Sequence, residues 1–272
     1  NGKDGNPLAG ATFDVLDSKG TKVNTQPLVS QADGKVVISG LAPGEYTFVE
    51  TTAPAGYIRN TKPVPFSINA EEHNKPDRVT TQPNGSPLQL VNEQGEAEFI
   101  KKNKAGETLS GAMFDVLDEQ GKKVNPQPIT SDQKGKVRVD RLAPGNYTFV
   151  ETKAPIGYLL NKKQQGFTIK EAANGSVSAV ELSDFVNYQG SFQLVKRNTA
   201  YEALAGAEFT LYNQQKQSLG KKAVSDNEGK VTFDHLAPGI YYFKETTAPK
   251  VSEGADYVVN PALIEVKISE AV

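Results

Sequence analysis

The stretch Leu142-Ala-Pro-Gly-Asn-Tyr-Thr-Phe-Val-Glu-Thr-Lys-Ala-Pro155 decides the fold, because the chain contains a version of it three times. Its opening Leu-Ala-Pro-Gly recurs at Leu41 and Leu236, and Glu-Thr-x-Ala-Pro follows in every copy. A second signature, Leu-x-Gly-Ala, precedes each copy and begins at Leu8, Leu109 and Leu204. Self-similarity at the length of a domain predicts three tandem modules.

We assign residues 1–93 to a first module, 94–188 to a second and 189–272 to a third. Within each module, short runs of β-forming residues alternate with turn clusters such as Asp17-Ser-Lys-Gly20, a pattern typical of β-sandwiches. The last predicted strand of one module leads almost directly into the next module. The sequence therefore predicts an all-β chain of three sandwich modules in a semi-rigid rod.

Composition excludes several classes of function. Among 272 residues, 37% are hydrophobic, none is Cys or Trp, and the net charge is only -2 with acids and bases interspersed. Such a balance disfavours nucleic-acid binding, and the absence of Cys removes disulfides. No apolar run reaches the roughly 20 residues that span a bilayer, and no signal peptide opens the sequence. We expect any export or anchoring signal to lie outside this piece.

Polar side chains fall on the core-facing side of several predicted strands. Because side chains alternate between faces, Glu151 shares a face with Tyr147 and Phe149. The same alternation turns inward the equivalent glutamates, a lysine in each of two first strands and an asparagine in each of two last strands: Glu50, Glu245, Lys101, Lys196, Asn92 and Asn187. Isolated charges at such positions would be very costly.

Two interpretations of these inward-facing groups are open. Desolvation lowers the pKa of a lysine and raises that of a glutamic acid, which leaves a neutral amine beside a neutral acid. The amine could then attack the carboxamide carbon while the acid assists the departure of ammonia, once per molecule and without turnover. Alternatively, the groups form a buried, hydrogen-bonded salt bridge with a spectator asparagine.

The recurrent string Lys…Leu-x-Gly-Ala-x-Phe…Leu-Ala-Pro-Gly-x-Tyr…Glu-Thr-x-Ala-Pro resembles the CnaB-type (collagen-adhesin B-repeat) domains of Gram-positive surface adhesins and pilins. The resemblance covers essentially the whole chain. It implies a transthyretin-like or reverse-immunoglobulin sandwich with an isopeptide bond between a first-strand lysine and a last-strand asparagine or aspartate. It also implies a catalytic glutamate between them, and the segment Glu151–Tyr158 resembles the E-box of pilin subunits.

Carried over residue by residue, the resemblance completes this set only in the second module, as Lys101, Glu151 and Asn187. In the first module the lysine would lie just upstream of Asn1, and Lys3 falls in the following turn. Glu50 and Asn92 therefore lack their amine, and we expect a truncated first strand.

The third module retains Lys196 and Glu245, but we expect its last strand to be missing. Asn260 is no substitute, because it aligns with Asn161, which precedes the penultimate strand. Either the chain was cut from a longer array, or other chains complete the outer modules.

No cofactor or metal site is expected, because neither His73 nor His235 has ligands beside it in the pattern. No recurring motif indicates an enzyme.

We predict a structural stalk at the bacterial cell surface, whose partners are other modules of the same surface protein or pilus. The alternative is an adhesin that binds host matrix proteins, with residues 70–86 as the longest inserted loop. The sequence lacks both a Leu-Pro-x-Thr-Gly sorting signal and a Tyr-Pro-Lys-Asn pilin motif, so pilus subunit and wall-anchored monomer both remain open.

Overall fold

The computed structural model describes residues 1–69, 88–171, 179–250 and 257–270. In these ranges every regular element is a β-strand, which confirms the predicted all-β class. The described chain contains no helix long and apolar enough to cross a membrane. The strands group into successive sandwich modules along the sequence.

The second module shows the complete arrangement in two facing sheets. Its strands are β5 (Gly95–Asn103), β6 (Met113–Asp118), β7 (Ile129–Thr130), β8 (Lys136–Leu142), β9 (Gly145–Lys153), β10 (Gln165–Ile169), β11 (Val180–Glu181) and β12 (Phe185–Asn187). One sheet has the order β10-β9-β6-β7, and in the other β5 pairs antiparallel with β8 and parallel with β11 and β12.

Alternation along β5 explains why this segment is a strand at the centre of a sheet. Gly95, Ala97, Phe99 and Lys101 are buried, while the residues between them are only partly buried. Phe99 lies among aromatic rings from both sheets, with ring centroids 5.0 Å from Phe149 and 5.6 Å from that of Phe185. The contact with Phe149 is edge-to-face and that with Phe185 is tilted, and aromatic contacts of this kind favour a closely packed core.

The outer modules repeat one of the two sheets. Their strands are β1 (Thr12–Asp17), β2 (Leu28–Val29), β3 (Gly44–Thr52), β4 (Val64–Ile68), β13 (Gly190–Val195), β14 (Glu208–Tyr212), β15 (Ser218–Val224), β16 (Lys230–Leu236), β17 (Gly239–Thr247) and β18 (Ile264–Ile268). The first module has the order β2-β1-β3-β4, and the third has the order β15-β14-β17-β18 beside the pair β13–β16.

The second sheet is reduced in both outer modules over the described residues. In the first, residues 36–41 form no strand, and Val36 is half-buried where its counterpart Val137 is fully buried. In the third, no described segment runs parallel to β13, and Phe192 is only half-buried. A strand whose neighbour is lacking loses both its hydrogen-bonded partner and the cover over its apolar face.

Each junction between modules is short and closely packed. Two residues separate Asn92 from Gly95, where β5 begins, and two separate Asn187 from Gly190, where β13 begins. Glycine is required at both starts, because a Cβ at Gly95 would overlap the Ile169 side chain, and the third module repeats this contact. Because the linker has only two residues and the next strand begins against its own core, the end of one module leads almost directly into the core of the next.

Candidate cross-linking site

Lys101 lies on β5 with its whole side chain inside the second module. Its exposed fraction is 0%, and its Nζ donates a hydrogen bond of 2.7 Å to the carbonyl oxygen of Phe185 on β12. The Nζ atom also lies 5.3 Å from the centre of the Phe185 ring. Burial lowers the pKa of Lys101 to about 8, against the opposing attraction of Glu151. A fraction of the amine is therefore neutral and nucleophilic near neutral pH.

Glu151 lies on β9 in the facing sheet and is 3% exposed. Its Oε2 accepts hydrogen bonds of 2.8 Å from the backbone N–H of Asn161 and from the Nδ2 of Asn187. Burial raises the pKa of Glu151, although both hydrogen bonds and the nearby Lys101 act in the opposite direction. Burial thus shifts Glu151 toward its protonated form, and the two hydrogen bonds fix the orientation of its carboxyl group.

Asn187 ends β12 and is 0% exposed. Its Nδ2 donates to Glu151 Oε2 and, at 2.7 Å, to the carbonyl oxygen of Leu159. A carbonyl oxygen can only accept, so this second contact fixes which way the amide points. In the parallel pairing of β5 with β12, Lys101 is opposite Phe185, so Asn187 lies two residues further along the same inward face.

Two buried oxygen atoms in this cluster have no hydrogen-bond partner among the described residues: Glu151 Oε1 and Asn187 Oδ1. Each unsatisfied buried acceptor costs about 1–3 kcal/mol, which makes the arrangement expensive as a purely structural network. A protonated carboxyl that donates to the amide oxygen would satisfy both atoms. The same interaction would increase the electrophilicity of the amide carbon.

The first module holds the acid and the amide of this arrangement. Glu50 and Asn92 are 1% and 2% exposed, and Asn92 Nδ2 lies 3.0 Å and 2.7 Å from the two carboxylate oxygens. Burial raises the pKa of Glu50 as well. Lys3 is exposed in a turn, so the described chain brings no lysine to this pair.

The third module holds the amine and the acid. Lys196 Nζ lies 2.8 Å and 3.0 Å from the two oxygens of Glu245, which is 2% exposed. The Lys196 side chain is 17% exposed, because no described strand covers it in the way that β12 covers Lys101. Without a backbone carbonyl from such a strand, the ammonium binds the carboxylate directly. The acid is held here too, by the backbone N–H of Asn260 at 2.8 Å.

Sequence reasoning missed one residue of the site. Asn161 orients Glu151 through its backbone N–H, and its Nδ2 donates a 2.7 Å bond to Val186 on β12. It therefore ties the acid to the strand that carries the amide. Asn60 does the same in the first module. The recurrence of asparagine at the equivalent positions 60, 161 and 260 was the available signal.

Other candidate sites add no chemistry. Within the described ranges, no group of three or more His, Asp and Glu side chains could hold a metal ion. His235 lies at the surface with its Nδ1 2.9 Å from Asp234. His73 and the whole predicted adhesin loop at 70–86 lie outside the described residues.

Curated proteins with detectable similarity are much longer than this chain. Colossin-A of Dictyostelium discoideum is 24% identical over 278 residues, which cover 85% of this chain and 2% of that protein. Serine-aspartate repeat-containing protein F of Staphylococcus epidermidis is 22% identical over 271 residues, covering 86% and 15%. The chain thus spans only a small part of the length of these relatives.

Among solved structures, the Bacillus anthracis TIE protein is 31% identical with a TM-score of 0.49, and the match covers 99% of this chain and 47% of that one. BcpA, the major pilin subunit of Bacillus cereus, is 18% identical with a TM-score of 0.39, covering 100% and 95%. Residues 1–83, 95–183 and 190–272 each match the SpaA family, described as a prealbumin-like fold domain. The chain therefore belongs to this family of prealbumin-like fold domains, in three tandem copies.

Proposed function

We propose that this chain is a non-enzymatic stalk segment of a Gram-positive cell-surface adhesin or pilin, stiffened by an intramolecular isopeptide bond. The single observation that supports this most is the buried set Lys101, Glu151 and Asn187, whose members come from the first, middle and last parts of one module. The tandem arrangement with two-residue junctions suits a rod that transmits force along its length.

The proposed reaction joins the Lys101 Nζ to the Asn187 side-chain carbon. The neutral amine attacks the carbon of the amide while the protonated Glu151 donates toward the amide oxygen. The bond between that carbon and Nδ2 then breaks, and the proton lost by the amine is passed through Glu151 to the leaving group. One amide replaces another, one molecule of ammonia leaves, and no oxidant or cofactor takes part.

Folding supplies the catalytic advantage. The three groups are buried together inside one module, and such positioning replaces an improbable encounter in solution with an intramolecular one. The site has no route to turnover, because the product is part of the chain. The outer modules each lack one member of the set within the described residues, so this proposal assigns one bond to the chain.

An intact mass measurement tests this proposal. We expect wild-type protein to be lighter than its sequence by one ammonia, and a peptide map to contain a branched peptide joining Lys101 to Asn187. Lys101→Ala and Glu151→Gln should retain the full sequence mass. Lys196→Ala is the matched control, because it removes a lysine at the equivalent position of a module without the asparagine, and it should still lose one ammonia. A wild-type mass equal to that of the sequence would refute the bond.

A further inference from the structure

One residue after the tyrosine that follows Glu-Thr-x-Ala-Pro in each module, the three modules carry an aliphatic side chain: Ile58, Leu159 and Val258. Ile58 is 2% exposed and belongs to the apolar core of the second module, not the first. Leu159 is 5% exposed and belongs to the apolar core of the third module. Val258, which has no following module in the described chain, is 88% exposed. The neighbouring module therefore buries this position, and the module that carries it does not.

Backbone contacts hold the same segment against the junction. The N–H of Leu159 donates a 2.8 Å bond to Tyr188 in the linker, and that of Leu160 donates 2.8 Å to Glu270 of the third module. The side chain of Gln189 donates to the carbonyl oxygen of Gly157. The first junction repeats the linker contacts, with Ile58 bonded to Glu93 and Gln94 to Gly56.

The segment that docks on the third module also orients the groups of the second module's site. The carbonyl oxygen of Leu159 accepts the 2.7 Å hydrogen bond from Asn187 Nδ2. Two residues further on, the N–H of Asn161 donates the 2.8 Å bond to Glu151. Residues 159–161 thus combine an apolar side chain buried in one module with two hydrogen bonds to the reacting groups of another.

We propose that docking of the third module on Leu159 positions the cross-linking site of the second, so that bond formation in one module depends on its folded C-terminal neighbour. Leu159 is a positioning residue, because its side chain lies in the core of the third module and it acts on the reacting groups through its own backbone and that of Asn161. The inference rests on the proposed Lys101–Asn187 bond. In a chain that emerges from its N-terminus, the second module would become covalently locked only after the third had folded.

The experiment measures the rate of ammonia loss in the full-length chain. Protein that has never folded, solubilised in denaturant from inclusion bodies and shown by its mass to be unreacted, is refolded by dilution. Samples are quenched in acid at intervals, and intact mass gives the reacted fraction. Hydrogen exchange of the β5, β9 and β12 amides reports folding of the second module separately. The variants are Leu159→Ala, the conservative Leu159→Met, and Ile156→Ala as matched control, since Ile156 is in the same loop and 97% exposed.

We expect Leu159→Ala to slow bond formation about tenfold while the amides of the second module remain protected, because a small displacement of reacting groups is enough for such a loss. Leu159→Met should restore most of the rate, and Ile156→Ala should equal wild type. A wild-type rate in Leu159→Ala would overturn this inference but leave the bond itself intact. Failure of the wild type to lose ammonia would instead refute the proposed function.

If Leu159→Ala also loosens the second module, a variant in the third module decides the question. Leu236 is 3% exposed, shares the apolar core that buries Leu159, and lies at the junction beside Gly157 and Gln189. Leu236→Ala leaves every residue of the second module unchanged and should still slow its bond formation. An unchanged rate in that variant would show that the neighbour does not control the site.

Discussion

The reaction proposed for the second module depends on one amine, that of Lys101. Its pKa of about 8 follows from its burial beneath the β12 strand. A group with this pKa is mostly protonated at neutral pH and becomes nucleophilic as pH rises. Glu151 must instead keep its proton, so it can act as an acid only at pH values below its own pKa, which burial raises. The two groups therefore define a pH window for the reaction.

Well below the Lys101 pKa of about 8, and while Glu151 keeps its proton, the rate of bond formation during refolding should rise about tenfold per pH unit, because the neutral fraction of the amine rises in that proportion. The rise should level off where Glu151 begins to lose its proton, and the rate should fall at pH values above the pKa of both groups. Timed intact-mass measurements in buffers of constant ionic strength would give the profile. Circular dichroism of the same samples separates folding from reaction, and a rate independent of pH throughout the acidic range would contradict the role of a buried neutral amine.

At the scale of elements, the turn before β8 positions the strand that carries Lys101. The N–H of Lys101 donates a 2.7 Å bond to Gly135, and Gly135 has a φ of 74°. A Cβ at this glycine would lie 2.5 Å from the carbonyl oxygen of Lys101. Any side chain there would push β5 away from β8 and displace the amine.

Gly135→Ala should therefore destabilise the second module by about 2 kcal/mol or more, because it combines strain at positive φ with a backbone clash. It should also slow ammonia loss. Gly121→Ala is the matched control, since Gly121 has a φ of 75° but open space around its Cβ position. Urea unfolding of both variants in the Lys101→Ala background would isolate the clash. Equal midpoints for the two variants would show that the contact with β5 has no effect.

At the scale of the whole molecule, the proposed bond would connect the first and last strands of a module through which tension must pass. Closing a loop of about 86 residues restricts the unfolded chain by about 4.6 kcal/mol in the chain-entropy treatment of cross-links. That is comparable to the net stability of a small domain. More directly, force would run from Lys101 to Asn187 through a covalent bond and bypass the hydrogen bonds between strands.

In a single-molecule pulling experiment, the wild-type second module should not release its internal loop. Lys101→Ala should release it, adding up to about 300 Å of extension, because an extended residue spans about 3.3–3.6 Å. The same variant should melt at a lower temperature. Lys196→Ala, the matched control, should leave the extension of the second module as in wild type. Identical extension in wild type and Lys101→Ala would remove the basis for a tension-bearing cross-link.

Local pattern was sufficient for the fold class and for naming the candidate residues. Strand alternation repeats every two residues, so inward positions such as Lys101 and Glu151 are readable without knowing their neighbours. Internal repetition then aligned the modules and indicated which member of the set each outer module lacks. The module boundaries and the chemical roles of these residues stay predictions.

Contacts between distant parts of the chain were decided only by the tertiary structure. No local pattern shows that the amine of Lys101 binds the carbonyl of Phe185, or that Asn161 orients the acid through a backbone N–H. Nor does any local pattern show that Leu159 lies in the core of the neighbouring module, since an aliphatic residue after a turn fits its own core equally well. The physical reason is that alternation specifies which face a side chain occupies, whereas the partner on that face depends on how separate strands and modules pack together.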